Sequence, residues 1–446
     1  MPDLYAHQRR GVDLLTTYPR YALWWDCGVG KTATVLDVIS KLKLHRVLVL
    51  CPRSIIKPAW KDDAATFTPH LSIRGWHDKP RVEFWNATIQ VVNYESFRAR
   101  YDEFEPRRYD LLVVDESSRI KDPHSKTSRL VRDISLHVPR VVLLSGTPAP
   151  NDALEFWPQA FCIDPALLGG KYRQFRCEYG KSKRLYLGDR HVDLWVADPA
   201  KLPTLLSRLA TKSDTLRKED CLDLPAQVDE TIEVTLSAPD RKAYNELERS
   251  LVLAYEGGAI VAETALSEIM KLRQLCNGWA YDDQRVAHEW GNSKLNVLLD
   301  TLRDLHERAV IWVEYRHDAD RIAKELDGLA VTLMGGMTGA DQCLALDQFT
   351  SGRRKYLVTH PQTAGHGLTL CAGVGCRYAV YYSLSYSWEQ HKQSRDRIHR
   401  IGQQHKTTYL YLTTTGTIEP DIYQCVKGKK TAHDFALEFL RSRSGH

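Results

Sequence analysis

Leu111-Leu112-Val113-Val114-Asp115-Glu116 is a run of four apolar residues that ends at once in two carboxylates. A strand that is apolar at consecutive positions is covered on both faces, which is how the inner strands of a parallel sheet read. Open α/β sheets bind ligands beyond the carboxyl ends of their strands, so Asp115 and Glu116 are delivered to a ligand. The same rhythm recurs at Tyr21 to Trp24, Val47 to Leu50, Ile89 to Val92 and Val141 to Leu144, with longer amphipathic stretches between. These predict one α/β lobe. A second is predicted from Val310 to Val313, Val331 to Leu333, Tyr356 to Thr359, Tyr378 to Tyr382 and Thr408 to Leu412. Residues 151 to 290 lose the strand rhythm and read as helical and loop material, with Leu202 to Leu209 and Asp240 to Leu253 as the clearest helices.

Length and composition suit that division. The 446 residues are enough for two to three domains, and 43% hydrophobic with 26% charged residues is ordinary for a soluble chain. A net charge of +5 permits a polyanionic partner without requiring one. The ten cysteines form no CxxC pair or repeated spacing, so reduced thiols are expected rather than zinc. The N-terminus has no basic region followed by an apolar core, and no apolar run approaches the roughly 20 residues of a membrane span. An intracellular protein without a membrane partner is the expectation.

The acids have a counterpart upstream in Gly28-Val29-Gly30-Lys31-Thr32. A glycine-containing loop between a strand and a helix offers backbone N–H groups at a positive helix end, which suits a triphosphate. Gly28 and Gly30 would shape the loop, Lys31 would reach the β and γ phosphates, and the Thr32 hydroxyl would bind Mg²⁺. The full GxxxxGK[ST] pattern asks for glycine at position 25, where this chain has Trp25. Asp115 would hold Mg²⁺, and Glu116 would orient and deprotonate the attacking water. Upstream of the loop, Gln8 carries an amide able to donate to and accept from an adenine edge. Leu144-Ser145-Gly146-Thr147-Pro148-Ala149-Pro150 follows another apolar run, and a turn with hydroxyls such as Thr147 can sense the γ-phosphate region.

At the other end of the chain, Gln393-Ser394-Arg395-Asp396-Arg397-Ile398-His399-Arg400-Ile401-Gly402-Gln403 places Arg397 and Arg400 three residues apart. At helical spacing that is one face, and two permanently charged guanidinium groups there form a clamp for an anion.

In this order the elements resemble the superfamily-two helicase-like ATPases, and within them the SWI/SNF-type double-stranded DNA translocases, over nearly the whole chain. Further motifs carry the resemblance: Leu50-Cys51-Pro52-Arg53-Ser54 through Trp60, Val92-Asn93-Tyr94-Glu95, Leu216-Arg217-Lys218 leading to Leu224-Pro225, Leu272-Arg273-Gln274-Leu275-Cys276-Asn277, Ser293-Lys294-Leu295 and His399-Arg400-Ile401-Gly402-Gln403. The resemblance implies two RecA-like parallel-sheet lobes in tandem with helical insertions between them. Residues 1–155 would form the N-terminal ATPase lobe and 156–224 a helical insertion and linker. Residues 225–446 would form the C-terminal lobe, with a helical insertion at about 238–290 and a C-terminal helical brace. It implies ATP and Mg²⁺ as cofactors, Arg397 and Arg400 as arginine fingers, and Gln393 as a link between nucleotide and DNA sites. The implied partner is double-stranded DNA, met through its phosphates by Arg53, Tyr94, Tyr315, Arg316, Thr363 and Gly365.

Two departures from the family pattern stand out. His366 and Thr369 replace a glycine and an asparagine in the coupling loop, and Ser117-Ser118 follow the acids where alanine and histidine are usual. A monomeric motor in the cytoplasm of a bacterial or phage-infected cell is the expectation, with a nuclear location disfavoured. Three other readings remain open: a strand-separating helicase of the same superfamily, for which no wedge is evident; a DNA clamp switched by ATP without catalysis; and an unrelated P-loop kinase.

Overall fold

The computed structural model of this chain describes residues 3–187, 190–256, 262–282, 284–364, 370 and 375–428. Its strands in chain order are β1 Arg20–Trp25, β2 Val47–Cys51, β3 Ile73–Gly75, β4 Ile89–Asn93, β5 Leu111–Asp115 and β6 Arg140–Leu144. Then come β7 Gly180–Leu187, β8 Arg190–Ala197, β9 Ser213–Leu216, β10 Gln227–Val234, β11 Trp279–Tyr281 and β12 Ala287–Glu289. The last five are β13 Ala309–Trp312, β14 Ala330–Leu333, β15 Tyr356–Thr359, β16 Tyr378–Tyr381 and β17 Thr407–Thr414.

Ten of these are the apolar runs of the sequence, and they sort into two sheets. The first has seven strands in the order β3-β4-β2-β5-β6-β1-β9, with every pair parallel. Successive residues of one strand serve opposite cores. Leu112 and Val114 belong to one apolar cluster with Leu48, Leu50 and Val141, whereas Leu111 and Val113 belong to another with Val47, Val49 and Val142. Both faces are thus covered, and the continuous hydrophobic run is the period-two pattern of a strand with two buried sides.

The second sheet has six strands in the order β10-β17-β16-β13-β15-β14, again parallel throughout. Ile311, Val358, Val380 and Leu410 anchor the core on one face. The chain divides into two compact units at Asp223 and Leu224. The stretch read as a helical linker also holds strands. β7 and β8 form a two-stranded sheet of their own, and β9 joins the first large sheet beside β1. In the second unit the helices Ala238–Glu256 and Ala262–Cys276 build a separate apolar cluster with the helix Glu419–Gly428. Among the described residues no helix is long and apolar enough to cross a membrane.

Candidate functional site

In a parallel sheet all carboxyl ends emerge on one edge, so strand order decides which loops meet. In the order β4-β2-β5-β6-β1 the acids after β5 lie between the segment following β2 and the turn following β6, and the phosphate loop after β1 lies next to that turn. Five motifs spread over about 130 residues of chain become neighbours by topology.

The loop Asp26–Gly30 is held from several sides. Gly28 and Gly30 both have φ of 83°, a left-handed conformation that glycine adopts without strain. A Cβ at Gly30 would stand 1.9 Å from Gln8 Nε2, so a side chain there would displace the Gln8 amide as well as strain the left-handed backbone. The helix Lys31–Lys41 starts directly after it. Lys31 Nζ donates to the Trp25 and Asp26 carbonyls at 2.9 and 3.0 Å. Gln8 accepts from Tyr5 N–H through its amide oxygen and donates to the Gly30 carbonyl at 3.3 Å, which joins the first helix to the loop.

Trp25 is the last residue of β1 and is fully buried, with its ring against Gly11 and its indole N–H donating to Asp214 of β9 at 2.7 Å. This explains the departure from the glycine pattern, because position 25 belongs to the strand and not to the loop. The end of β9 also bonds the loop, since Asp26 N–H donates to the Leu216 carbonyl and Lys218 N–H to the Asp26 carboxylate at 3.1 Å.

Asp115 is buried. Its Oδ2 accepts from the Trp60 indole N–H at 2.9 Å, its Oδ1 from Glu116 N–H at 3.0 Å, and its carbonyl from the Tyr94 hydroxyl at 2.7 Å. Burial pushes its carboxyl above the usual carboxylate range, while the Trp60 N–H and the charge of Lys31 pull it back down. A buried carboxylate under a nearby lysine suits a divalent cation, which would favour the charged form. Thr32 offers a hydroxyl in the first turn of the loop helix. Glu116 sits half-buried at φ 58°, an uncommon conformation for a side chain other than glycine, and reverses the chain immediately after β5.

The unusual Ser117 has a partner that the sequence pattern did not reveal. Its hydroxyl donates to Gln159 Oε1 at 2.7 Å, and Gln159 Nε2 donates to the Pro148 carbonyl at 2.6 Å; both side chains are fully buried. The acidic loop is therefore tied through Gln159 to the Ser145–Pro150 turn. In that turn Thr147 is buried, and a Cβ at Gly146 would stand 2.7 Å from Cys27 Sγ of the phosphate loop. Ser117→Ala is expected to cost about 1–3 kcal/mol by leaving Gln159 Oε1 unpaired. Ser117→Ala with Gln159→Leu should cost less than the sum of the single changes by at least about 0.5 kcal/mol, read from denaturant unfolding. Strictly additive costs would show that the two side chains do not act as a bridge.

Of the residues expected on the DNA side, Arg53 is exposed and Tyr94 is buried, its hydroxyl committed to Asp115. Tyr94 therefore meets the acid and not a phosphate. In the second unit, exposed Arg316 follows β13 and donates to the Gly335 carbonyl after β14. Thr363, after β15, faces the same glycine, where a Cβ would lie 3.8 Å from its Oγ1. Gly365, His366 and Thr369 lie outside the described residues.

Other landmarks of the second unit form a buried network. Asp318 accepts from Trp279, Asn277 and Ser383, and Lys294 bonds Asn277 and Glu419. Burial raises the Asp318 carboxyl to about 7.

The arginine stretch corrects the helical expectation. The helix Trp388–Arg395 contains buried Gln393 but ends before Arg397. The next residues turn tightly, with Arg397 N–H donating to the Ser394 carbonyl, Ile398 N–H to Arg395 and Gln403 N–H to Arg400. Gly402 has φ 97°, and His399 Nε2 lies 2.8 Å from the Pro225 carbonyl. Gln403 Nε2 donates to the Cys376 and Ile398 carbonyls. The result is a folded turn carrying a buried Arg397 and a partly exposed Arg400, not a shared helical face. Arg395 anchors it, stacking 3.7 Å from the Tyr409 ring centroid and bonding the Tyr411 hydroxyl and Gln227.

Two RecA-like parallel-sheet lobes, one with a phosphate loop beside a strand ending in paired acids, define an ATP-hydrolysing enzyme of the helicase-like class. The chain belongs to the SNF2-related family: residues 7–280 match the SNF2-related domain, and residues 293–402 match the helicase conserved C-terminal domain. It is similar to protein p41 of Acyrthosiphon pisum secondary endosymbiont phage 1, at 25% identity over 98% of both chains. It is also similar to the DNA repair and recombination protein RAD54B of Mus musculus, at 23% identity over 94% of this chain and 53% of that one. Among solved structures it resembles a Sulfolobus solfataricus SWI2/SNF2 ATPase core in complex with double-stranded DNA. That match has 21% identity, covers 95% of this chain and 90% of that one, and has a TM-score of 0.46.

Proposed function

We propose that this protein is a motor that hydrolyses ATP while moving along double-stranded DNA, remodelling protein–DNA complexes or DNA junctions. The observation that carries the reading is the edge of the first sheet. There the phosphate loop, the paired acids and the segment bearing exposed Arg53 follow strands of one parallel sheet, and that segment is hydrogen-bonded to Asp115. A nucleotide site joined directly to a cationic outer segment is what a nucleic-acid-dependent ATPase requires.

Gly28, Gly30 and Lys31 would cradle the triphosphate, with Gln8 beside the loop. Mg²⁺, held by Thr32 and Asp115, would neutralise charge on the phosphates. Glu116 orients a water and takes its proton as the water attacks the γ-phosphoryl group. Arg397 and Arg400 supply positive charge to the transferring group, Arg400 from the tip of its turn. Thr147 and Gln393 relay the state of the nucleotide. Arg53, Arg316 and Thr363 meet DNA phosphates, which carry no sequence information, so binding is independent of sequence. The protein acts as a monomer.

A second reading, strand separation, draws on one observation: β7 and β8 form a two-stranded sheet of two eight-residue strands, the kind of element a wedge uses. ATPase rates with no nucleic acid, single-stranded DNA, duplex DNA and RNA, run beside triplex displacement and strand separation, decide between them. Strong stimulation by duplex with triplex displacement and no unwinding is expected. Unwinding would favour the second reading, and a rate indifferent to every nucleic acid would sink both. Lys31→Ala, as the control, should lower the stimulated rate by roughly 10²–10³.

A further inference from the structure

We infer that Trp60 and Tyr94 are positioning residues that couple the outer, DNA-facing segments of the first lobe to the acidic pair, by holding Asp115 from opposite ends. The inference rests on the motor reading above and assigns a route within it.

Arg53 to Lys61 forms a single rod in two parts. A 3₁₀ turn Arg53–Ile55 runs into a π-helix Ile56–Lys61, which continues as the α-helix Asp62–Phe67. Pro58 lies inside the π-helical part and has no N–H to give to a regular i→i−4 ladder. Single π turns are rare and cluster at functional sites. The rod is two-sided. Arg53, Ser54 and Lys57 are exposed, whereas Ile55, Ile56 and Trp60 are buried. The outward side presents cations, and the inward side ends in the indole that bonds Asp115 Oδ2 at 2.9 Å.

An indole N–H can only donate, and Trp60 and Asp115 are both buried, so the bond is shielded from bulk water. A phosphate on Arg53 that shifts this segment would move the indole donor and, through it, the Asp115 carboxylate. Tyr94 begins the segment after β4 and holds the other end of the same residue, through the Asp115 carbonyl at 2.7 Å. Its ring is buried in the core on one face of the sheet, while Arg98 of the same helix is exposed. Both segments flanking Asp115 on this side therefore terminate on it, one at the side chain and one at the main chain. The acid that would hold Mg²⁺ is the point where their movements are read.

Trp60→Phe deletes the donor and keeps an aromatic ring, and Tyr94→Phe deletes only a hydroxyl. Each is expected to lower the duplex-stimulated kcat by about tenfold. The KM for ATP and the duplex concentration giving half-maximal stimulation should each stay within about twofold. Arg53→Ala, which removes the phosphate contact itself, should raise the half-stimulating duplex concentration and lower the stimulated kcat together. A wild-type rate that no nucleic acid stimulates overturns the motor reading itself. A stimulated wild type with fully stimulated Trp60→Phe and Tyr94→Phe overturns the coupling alone. Should Trp60→Phe fail to fold, Tyr94→Phe decides the matter: full stimulation overturns the coupling, and loss of kcat at unchanged half-stimulating concentration supports it.

Discussion

Arg400→Ala is expected to lower kcat for ATP hydrolysis by roughly 10³–10⁵ and to leave the folded state intact. The prediction separates three arginines that the sequence places within six residues. Arg395 is structural, stacked on Tyr409 and bonded to Tyr411 and Gln227, so its loss should unravel the anchoring of the turn. Arg397 is buried, and truncating it opens a gap inside its own lobe. Arg400 is partly exposed, on a turn held by His399 and Gln403. Of the two proposed fingers it is therefore the one whose loss is least confounded by folding. Arg400→Lys keeps the charge but loses the planar fork, so it should recover only part of the rate. Single-turnover kinetics and a thermal melt measure both properties, and near-normal turnover of Arg400→Ala would assign the finger elsewhere.

Glu116→Gln should cut hydrolysis by about 10²–10⁴ while nucleotide binding is retained. The amide has nearly the size of the carboxylate, so the left-handed turn at φ 58° and the bond from Glu116 N–H to Asp115 Oδ1 persist. What is lost is the ability to take a proton from water. Asp115→Asn provides the contrast. It removes charge from a buried position already raised by burial, and binding that depends on Mg²⁺ should suffer along with turnover. Fluorescent-nucleotide titration beside steady-state rates distinguishes the two. Turnover of Glu116→Gln within tenfold of wild type would refute its role as base.

The central strands were legible because burial on both faces leaves no room for polar residues. Of the four edge strands of the two large sheets only β14 was. β10 reads Gln-Val-Asp-Glu-Thr-Ile-Glu-Val because much of it is exposed beside β17, and β3 has only three residues. β9 is polar at Ser213, Asp214 and Thr215 since it borders the sheet on one side only. The arginine turn was misread because charge spacing cannot reveal that Gly402 and Gln403 fold the backbone back on itself. Gln159 gave no signal at all. A lone amide in a short helix gains meaning only when strand order sets it between Ser117 and Pro148.

The late arrival of β9 has a consequence for synthesis. β1 leaves the ribosome early, but the neighbour that closes its outer side is made roughly 190 residues afterwards, an interval of about ten to forty seconds at ordinary elongation rates. Until then the strand of Tyr21, Leu23 and Trp25 has an open edge, the geometry on which chains aggregate. A chain cut near residue 155 would keep every nucleotide motif of the first lobe and still be expected to precipitate.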